Sequence, residues 1–344
     1  IGEWLGEVER RNPVLARALA EQGLVQKRDI TRIDGQAGEF VPPFWALDQY
    51  APLARARRPF ADAMRQIPLP SGTDSISIPR ITTGTLTGVQ TGDNQAVTEQ
   101  DIVSATVTAP VRTISGQQDI ALQLLEQSPI AFDQVVFGDL FADYAMQIDT
   151  QCLNGSGAAG QILGILNTSG VNAVTYTDGT PTVPEIYPKL ADCLNQASNN
   201  RKVVPTHFWW HGRRWFWAAK ELDSSSRPFF VSMAGQPFNA YGAFSNGHDN
   251  QGGPVTNVIG VPVMLDLNIP TNLGAGTNED RIIATVMDDH LLFEGTLRSR
   301  VLQEVLSGNL TVRLQVYAYV GATFGRFPAA TSVLSGTGLV TPTF

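Results

Sequence analysis

Residues 129 to 153 carry one long amphipathic helix, and a rod of that length limits what the chain can fold into. Phe137, Leu140, Phe141, Tyr144, Ala145, Ile148 and Cys152 recur at steps of three and four, the spacing of one helix face. Asp133, Gln134, Asp139, Asp143, Gln147 and Gln151 take the other face. Ser128 can accept a bond from a free N–H of the first turn, and Pro129 suits the first helical position. Asn154-Gly155 supplies the left-handed residue that closes such helices. At about 1.5 Å per residue the rod is roughly 37 Å long. That length predicts a structural spine.

The covering sheet is predicted near the end of the chain. Leu310, Val312, Leu314, Val316, Ala318 and Val320 alternate with Thr311, Arg313, Gln315 and Tyr317, the period of a strand with one face inward. Earlier, period two also runs through residues 76 to 115. Val103, Ala105, Val107, Ala109 and Val111 point one way, and Ile76, Ile78 and Ile81 form the opposing strand. Between them lies a Gly/Thr-rich tip, residues 83 to 94, with little apolar surface of its own. A free hairpin of this length is marginal in isolation and needs a partner surface.

Other segments are less regular. Helices are expected at 184–196 and 212–222, strands at 203–210, 258–266 and 281–287, and a Gly/Asn-rich loop at 235–254. Strands that return after a helix-rich insert predict a discontinuous domain, with 115–180 packed on 308–335 and 181–305 forming a second unit. The aromatics of 208–217 fan in several directions beside Arg213 and Arg214, so core and subunit contacts fit them better than a base-stacking platform.

Catalytic signals are sparse. There is no phosphate-binding glycine loop, no zinc-protease motif and no nucleophile elbow. Gly155-Ser156-Gly157 follows a helix rather than a strand. His207 and His211 are not expected to share a face, so no metal and no cofactor are predicted. Cys152 and Cys193 read as buried thiols. Asn154, Asn167 and Asn309 match the glycosylation pattern by chance. No apolar run reaches the ~18 residues of a membrane span, and no signal peptide is expected over residues 1 to 25.

The stretch 153–166, LNGSGAAGQILGIL, resembles the end of the spine helix in major capsid proteins of tailed bacteriophages, the Hong Kong 97 fold. Other pieces resemble that family in the same order: 38–43 the end of its N-terminal arm, 76–115 its extended loop, 258–264 a strand of its axial domain, and 281–293 with 310–330 its closing strands. The resemblance implies an α+β capsid fold. Its parts would be an N-terminal arm at 1–60, an extended β-hairpin loop with flanking strands at 61–118, a peripheral domain at 119–180 and 306–344, and an axial domain at 181–305. It implies a shell subunit with no catalytic residues, working through interfaces. The expected interface residues are Arg80, Thr85, Leu86, Val89, Asp93, Asn94 and Glu99 in the loop, and Trp4, Arg10, Arg11, Arg28 and Arg32 in the arm.

Partners implied are further copies of the chain as pentamers and hexamers, a portal, a scaffold or maturation protease, and a decoration or cement protein. The expected place is the virion, with assembly in the host bacterial cytoplasm and no membrane. An encapsulin-type compartment, or a soluble β-rich enzyme or binding protein, are the alternatives. The net charge of −8 is uneven, with +1 over residues 1–60 and −9 over the rest. A tight DNA binder would be basic, whereas a weakly repelling wall suits a genome container. Some shells of the family are chain-mailed through a loop lysine. Here lysines occur only at 27, 189, 202 and 220, so no isopeptide bond is expected from the hairpin. Arg80 and Arg112 cannot replace an amine nucleophile.

Overall fold

The computed structural model describes residues 52–128, 131–222 and 254–343, together with Val14. The chain divides into units Ile1–Ala51 and Pro52–Phe344, and every sheet among the described residues belongs to the second. The division falls earlier than the arm boundary expected at residue 60.

One sheet is built around β12 (Thr311–Thr323). Strand β4 (Arg112–Ala121) runs antiparallel along one side of it, from Thr311↔Ala121 to Val320↔Arg112. The other side is shared end to end by β11 (Arg298–Leu306) and β10 (Leu291–Glu294), and β1 (Arg65–Pro68) adds in parallel to β10. The predicted alternation holds from Val312 to Val320, all buried. Leu310 departs from it: its φ of 50° is left-handed, the strand starts after it, and its side chain is exposed.

The predicted spine is α3 (Phe132–Asn154), lying across β12 and β4. Its second half is the well-packed part. Tyr144, Ile148, Cys152 and Leu153 join Leu292, Ala318, Val320 and Phe324 in the first core. The first half is only half covered: Phe132, Val136 and Phe137 rest against a small cluster of Ile120, Val312 and Leu314. Phe141, expected to be buried, is 39% exposed and stacks on Phe137 at 6.0 Å.

Both predicted ends of the spine need correction. Ser128 closes a separate short helix, α2 (Leu122–Gln127), by donating its N–H to the Leu124 carbonyl. The spine itself starts after Ala131, and Pro129 lies outside the described residues. At the other end Gly155 has φ −59°, so it is not left-handed. Glycine is required there for space, because a Cβ would collide with the Ile162 carbonyl oxygen. The apolar segment after the turn folds back against the helix end, with Gly164 N–H donating to Gly155 O at 2.8 Å. Asn167 Nδ2 holds the same turn through Asn154 O and Gly155 O.

The second sheet has the order β5-β13-β9-β6-β8-β7. Its strands are β5 (Asn172–Thr175), β6 (His207–Trp210), β7 (Pro254–Val258), β8 (Val261–Leu265), β9 (Ile282–Thr285) and β13 (Thr331–Ser335). Helix α4 (Val183–Arg201) packs on β13, β5 and β9. A capping box fixes its start: the Thr182 side chain takes the backbone N–H of Glu185, and the Glu185 carboxylate takes the Thr182 N–H. The chain passes between the two sheets more often than the sequence pattern suggests. Strands β10 and β11 come from 281–306 but join the first sheet, whereas β5 and β13 join the second.

The aromatic stretch 208–217 is where the two cores meet. Strand period two sends Trp209 into the first core, edge-on to Phe60 at 5.2 Å. Phe208 and Trp210 point into the second core, where Trp210 meets Trp215 of α5 (Gly212–Lys220). Arg213 and Arg214 share the buried carboxylate of Asp280, with Arg213 Nε 2.7 Å from Oδ1. Cys152 and Cys193 are free thiols buried in different cores, and burial pushes Cys193 up to about 12. The loop predicted at 235–254 lies outside the described residues except for Pro254, which begins β7. No helix among the described residues is long and apolar enough to cross a membrane.

Candidate assembly surface

Strands β2 (Ser75–Thr83) and β3 (Val103–Pro110) form a two-stranded antiparallel hairpin, in register from Ser75↔Pro110 to Ile81↔Ser104. No third strand joins it among the described residues. Burial fades along its length. At the root Ala109 is buried, and Ile76, Ile78 and Val107 are half-buried. Beyond Thr83 every residue to Ile102 is exposed. Val89 is 94% exposed and Val97 83%, with Leu86 and Ile102 also open. Covering one such side chain fully is worth about 1.5–3 kcal/mol, so the limb carries a large unspent apolar surface. The tip closes on itself: Asn94 adopts a left-handed φ of 62°, and Gln90 Nε2 donates to Gln95 O at 2.8 Å.

Six of the seven loop residues expected at an interface, Thr85, Leu86, Val89, Asp93, Asn94 and Glu99, lie on this exposed limb. Arg80 does not. It is half-buried at the root, and its Nη1 donates to Gly325 O of its own chain at 2.9 Å. The arm residues Trp4, Arg10, Arg11, Arg28 and Arg32 lie outside the described residues.

A second polar element escaped sequence reasoning. Residues 52–63, ending in helix α1 (Pro59–Ala63), form a strap along the acidic face of the spine. Arg55 makes two bonds of 2.8 Å to Asp139 and a third to Asp143, one turn further on. The Arg55 hydrogen bond holds the Asp139 carboxyl below its usual range. Arg58 grips both oxygens of Glu294, which also accepts from Tyr144 Oη at 3.1 Å. Ala61 N–H donates to Asp149 Oδ1 at 2.7 Å. By spacing alone, Asp139 and Asp143 mark a solvent face. The arginine cluster at 55–58 is the signal in the sequence for a strap bound to that face.

Asp149 is buried among apolar neighbours on the inward side of the spine, together with Asp266 at the end of β8. Asn268 ties the two: its side chain donates to Asp149 Oδ2 at 2.8 Å and its backbone N–H to Asp266 Oδ1 at 2.8 Å. Asp266 Oδ2 has no N–H partner among the described residues. Two buried carboxylates without a cation would be very costly. A proton between Asp266 and Asp149 resolves both problems, and burial raises Asp266 well above the carboxylate range. Asp149 moves the same way, also through burial.

Other polar groups make contacts within the fold. Ser156 Oγ sits within its own turn near Ala158. His211 Nδ1 accepts the Arg213 N–H and caps α5. His290 is wholly buried between Thr285 and Thr331, and burial lowers it to about 4. No cluster of three or more metal-ligating side chains occurs among the described residues.

Known proteins share this architecture. The pattern of the phage capsid family matches residues 37–286. No curated protein matches. Among solved structures, a chain of Gordonia phage Cozz superposes with a TM-score of 0.65 at 16% identity, covering 88% of this chain and 94% of that one. The capsid of a native GTA particle gives 0.68 at 13% identity, with 89% and 98% covered. A chain of Mycobacterium phage Bobi gives 0.63 at 12% identity, with 90% and 99% covered. A spine helix across a sheet, a second sheet with its own helices, a projecting hairpin and a family match over most of the length lead to one assignment: this chain belongs to the phage capsid family and is a major capsid protein of the Hong Kong 97 fold.

Proposed function

We propose that copies of this chain form the pentamers and hexamers of an icosahedral head, and that the exposed limb at 84–102 lies across a neighbouring copy. The carrying observation is the limb itself: a loop that projects beyond the two paired strands, with Val89 and Val97 almost fully open, which the described part of its own subunit leaves uncovered. In this reading residues 1–60 act as the arm, 61–118 as the extended loop, 119–180 with 306–344 as the peripheral domain, and 181–305 as the axial domain, apart from β10 and β11, which sit in the first sheet, and β5 and β13, which sit in the second. The shell encloses double-stranded DNA without gripping it, and the net charge of −8 favours this. The role is architectural rather than enzymatic. Assembly proceeds in the host cytoplasm with a scaffold or protease and a portal, and a cement protein can add to the outside.

Deleting 85–96 tests the reading. The expected result is a folded, soluble subunit that no longer forms shells in electron micrographs; normal particles would contradict it. The contacts are noncovalent, since the hairpin has no lysine. Mature particles boiled in detergent are therefore expected to run as one band near 37.2 kDa. A ladder that survives boiling and reduction would refute this.

A further inference from the structure

We infer that Arg80 is the positioning residue that fixes the angle at which the hairpin leaves its subunit. This rests on the reading of the limb as an inter-subunit contact. The root of the hairpin lies on the last residues of β12 and the turn beyond it. Gly321 leaves room for Ile76, whose Cδ1 would stand 3.3 Å from an added Cβ. Gly325 leaves room for Val107, whose Cγ1 would stand 3.0 Å away. Arg80 shares the face of Ile76 and Ile78 by strand alternation and is paired with Ala105. Its bond to Gly325 O reaches furthest along the hairpin toward the tip, and the next residue, Ile81, is already 64% exposed. The docked root has its last side-chain bond to the turn beyond β12 at Arg80, and beyond Thr83 the limb is exposed throughout.

The chemistry of the position supports positioning over stability. Arg80 Nε is buried with no hydrogen-bond partner among the described residues, so that N–H gives up its solvation while Nη1 makes one carbonyl bond. An aliphatic side chain would cover the root at lower cost. What arginine adds is a directed bond to one fixed backbone atom. A small rotation at the root is multiplied at the tip, which lies far beyond Arg80 along the limb. With the angle fixed, Leu86, Val89 and Val97 arrive at one place on the next subunit, and the same pivot repeats around the shell.

The test compares Arg80→Ala, Arg80→Lys and Gly325→Ala with the parent chain and with the 85–96 deletion. The readouts are thermal unfolding of the isolated subunit, amide hydrogen exchange of 75–83 and 103–110, and particle size in micrographs. Arg80→Ala is expected to leave the unfolding temperature nearly unchanged and to speed exchange at the root by about tenfold. It is expected to give few particles of mixed diameter. Arg80→Lys restores part of the uniformity, because an ammonium can still donate to Gly325 O. Gly325→Ala, which presses on Val107 without touching the guanidinium, reproduces the mixed sizes. Uniform shells from Arg80→Ala overturn the inference, and so does loss of the fold, which would make Arg80 a core residue. If the deletion also assembles normally, the reading of the limb fails; if only the deletion blocks assembly, the pivot alone fails.

Discussion

The hairpin and β12 are written in the same alternating pattern, yet their apolar residues meet opposite fates. On β12, Val312 through Val320 are buried beneath the spine helix. On the hairpin, Ile81 and Val103 are open, and Val89 at the tip is more so. Period two specifies a strand and says nothing about what covers its faces. For β12 the cover is the spine. For the hairpin it is, on our proposal, a second copy. On that proposal, strong local pattern without local cover marks the assembly surface in this molecule.

Truncation along the spine sharpens that contrast, because the spine grades from covered to uncovered. Ile148→Ala, at a wholly buried position, is expected to lower subunit stability by about 2–5 kcal/mol. Chemical denaturation with an unchanged slope would show it. Equal tolerance at Ile148 and at exposed positions would break the distinction between core and limb.

The buried acid pair gives the next largest effect, and its sign follows from the proton. The folded state holds a proton on Asp266 that the unfolded chain releases above the ordinary carboxylate range. Stability from this pair therefore falls as pH rises from that range to the raised folded value, by up to about 1.4 kcal/mol per pH unit. Asp266→Asn replaces the shared proton with an amide N–H that can donate to Asp149. The variant's stability is expected to fall less steeply than the parent's between about pH 5 and 8. Parallel curves would show that no proton is shared.

Phe141→Ala is expected to cost the isolated subunit under about 1.5 kcal/mol, because the ring that is lost is already 39% exposed and stacks on Phe137 in the half-covered part of the spine. A loss as large as that at Ile148 would mean the spine's first half is core after all.

How much was legible in the sequence depends on where the deciding interactions lie. The spine, β12 and the two strands of the hairpin rest on periodicity within one segment, and all appear where the pattern puts them, within a few residues. Helix ends were less legible: Ser128 and Gly155 are residue types that suit a cap, but one closes a different helix and the other serves a close approach of the chain. Sheet membership of β5, β10, β11 and β13 depends on pairing between distant segments, which a single sequence does not display. Arg80 was legible as belonging to the loop but not as facing inward, because its partner is a backbone carbonyl 245 residues away. Asp149 left a trace, an acid one step from Ile148 on the apolar side, whereas the strap that reads Asp139 and Asp143 left only a run of arginines.

The central claim is that the limb at 84–102 finds its cover on another copy. Amide hydrogen exchange of that segment, measured in the isolated subunit and in assembled shells, tests it most directly. The prediction is exchange near the rate of unstructured chain in the subunit and strong protection in the shell, with little change over 312–320. Equal, rapid exchange at 84–102 in both states would contradict it.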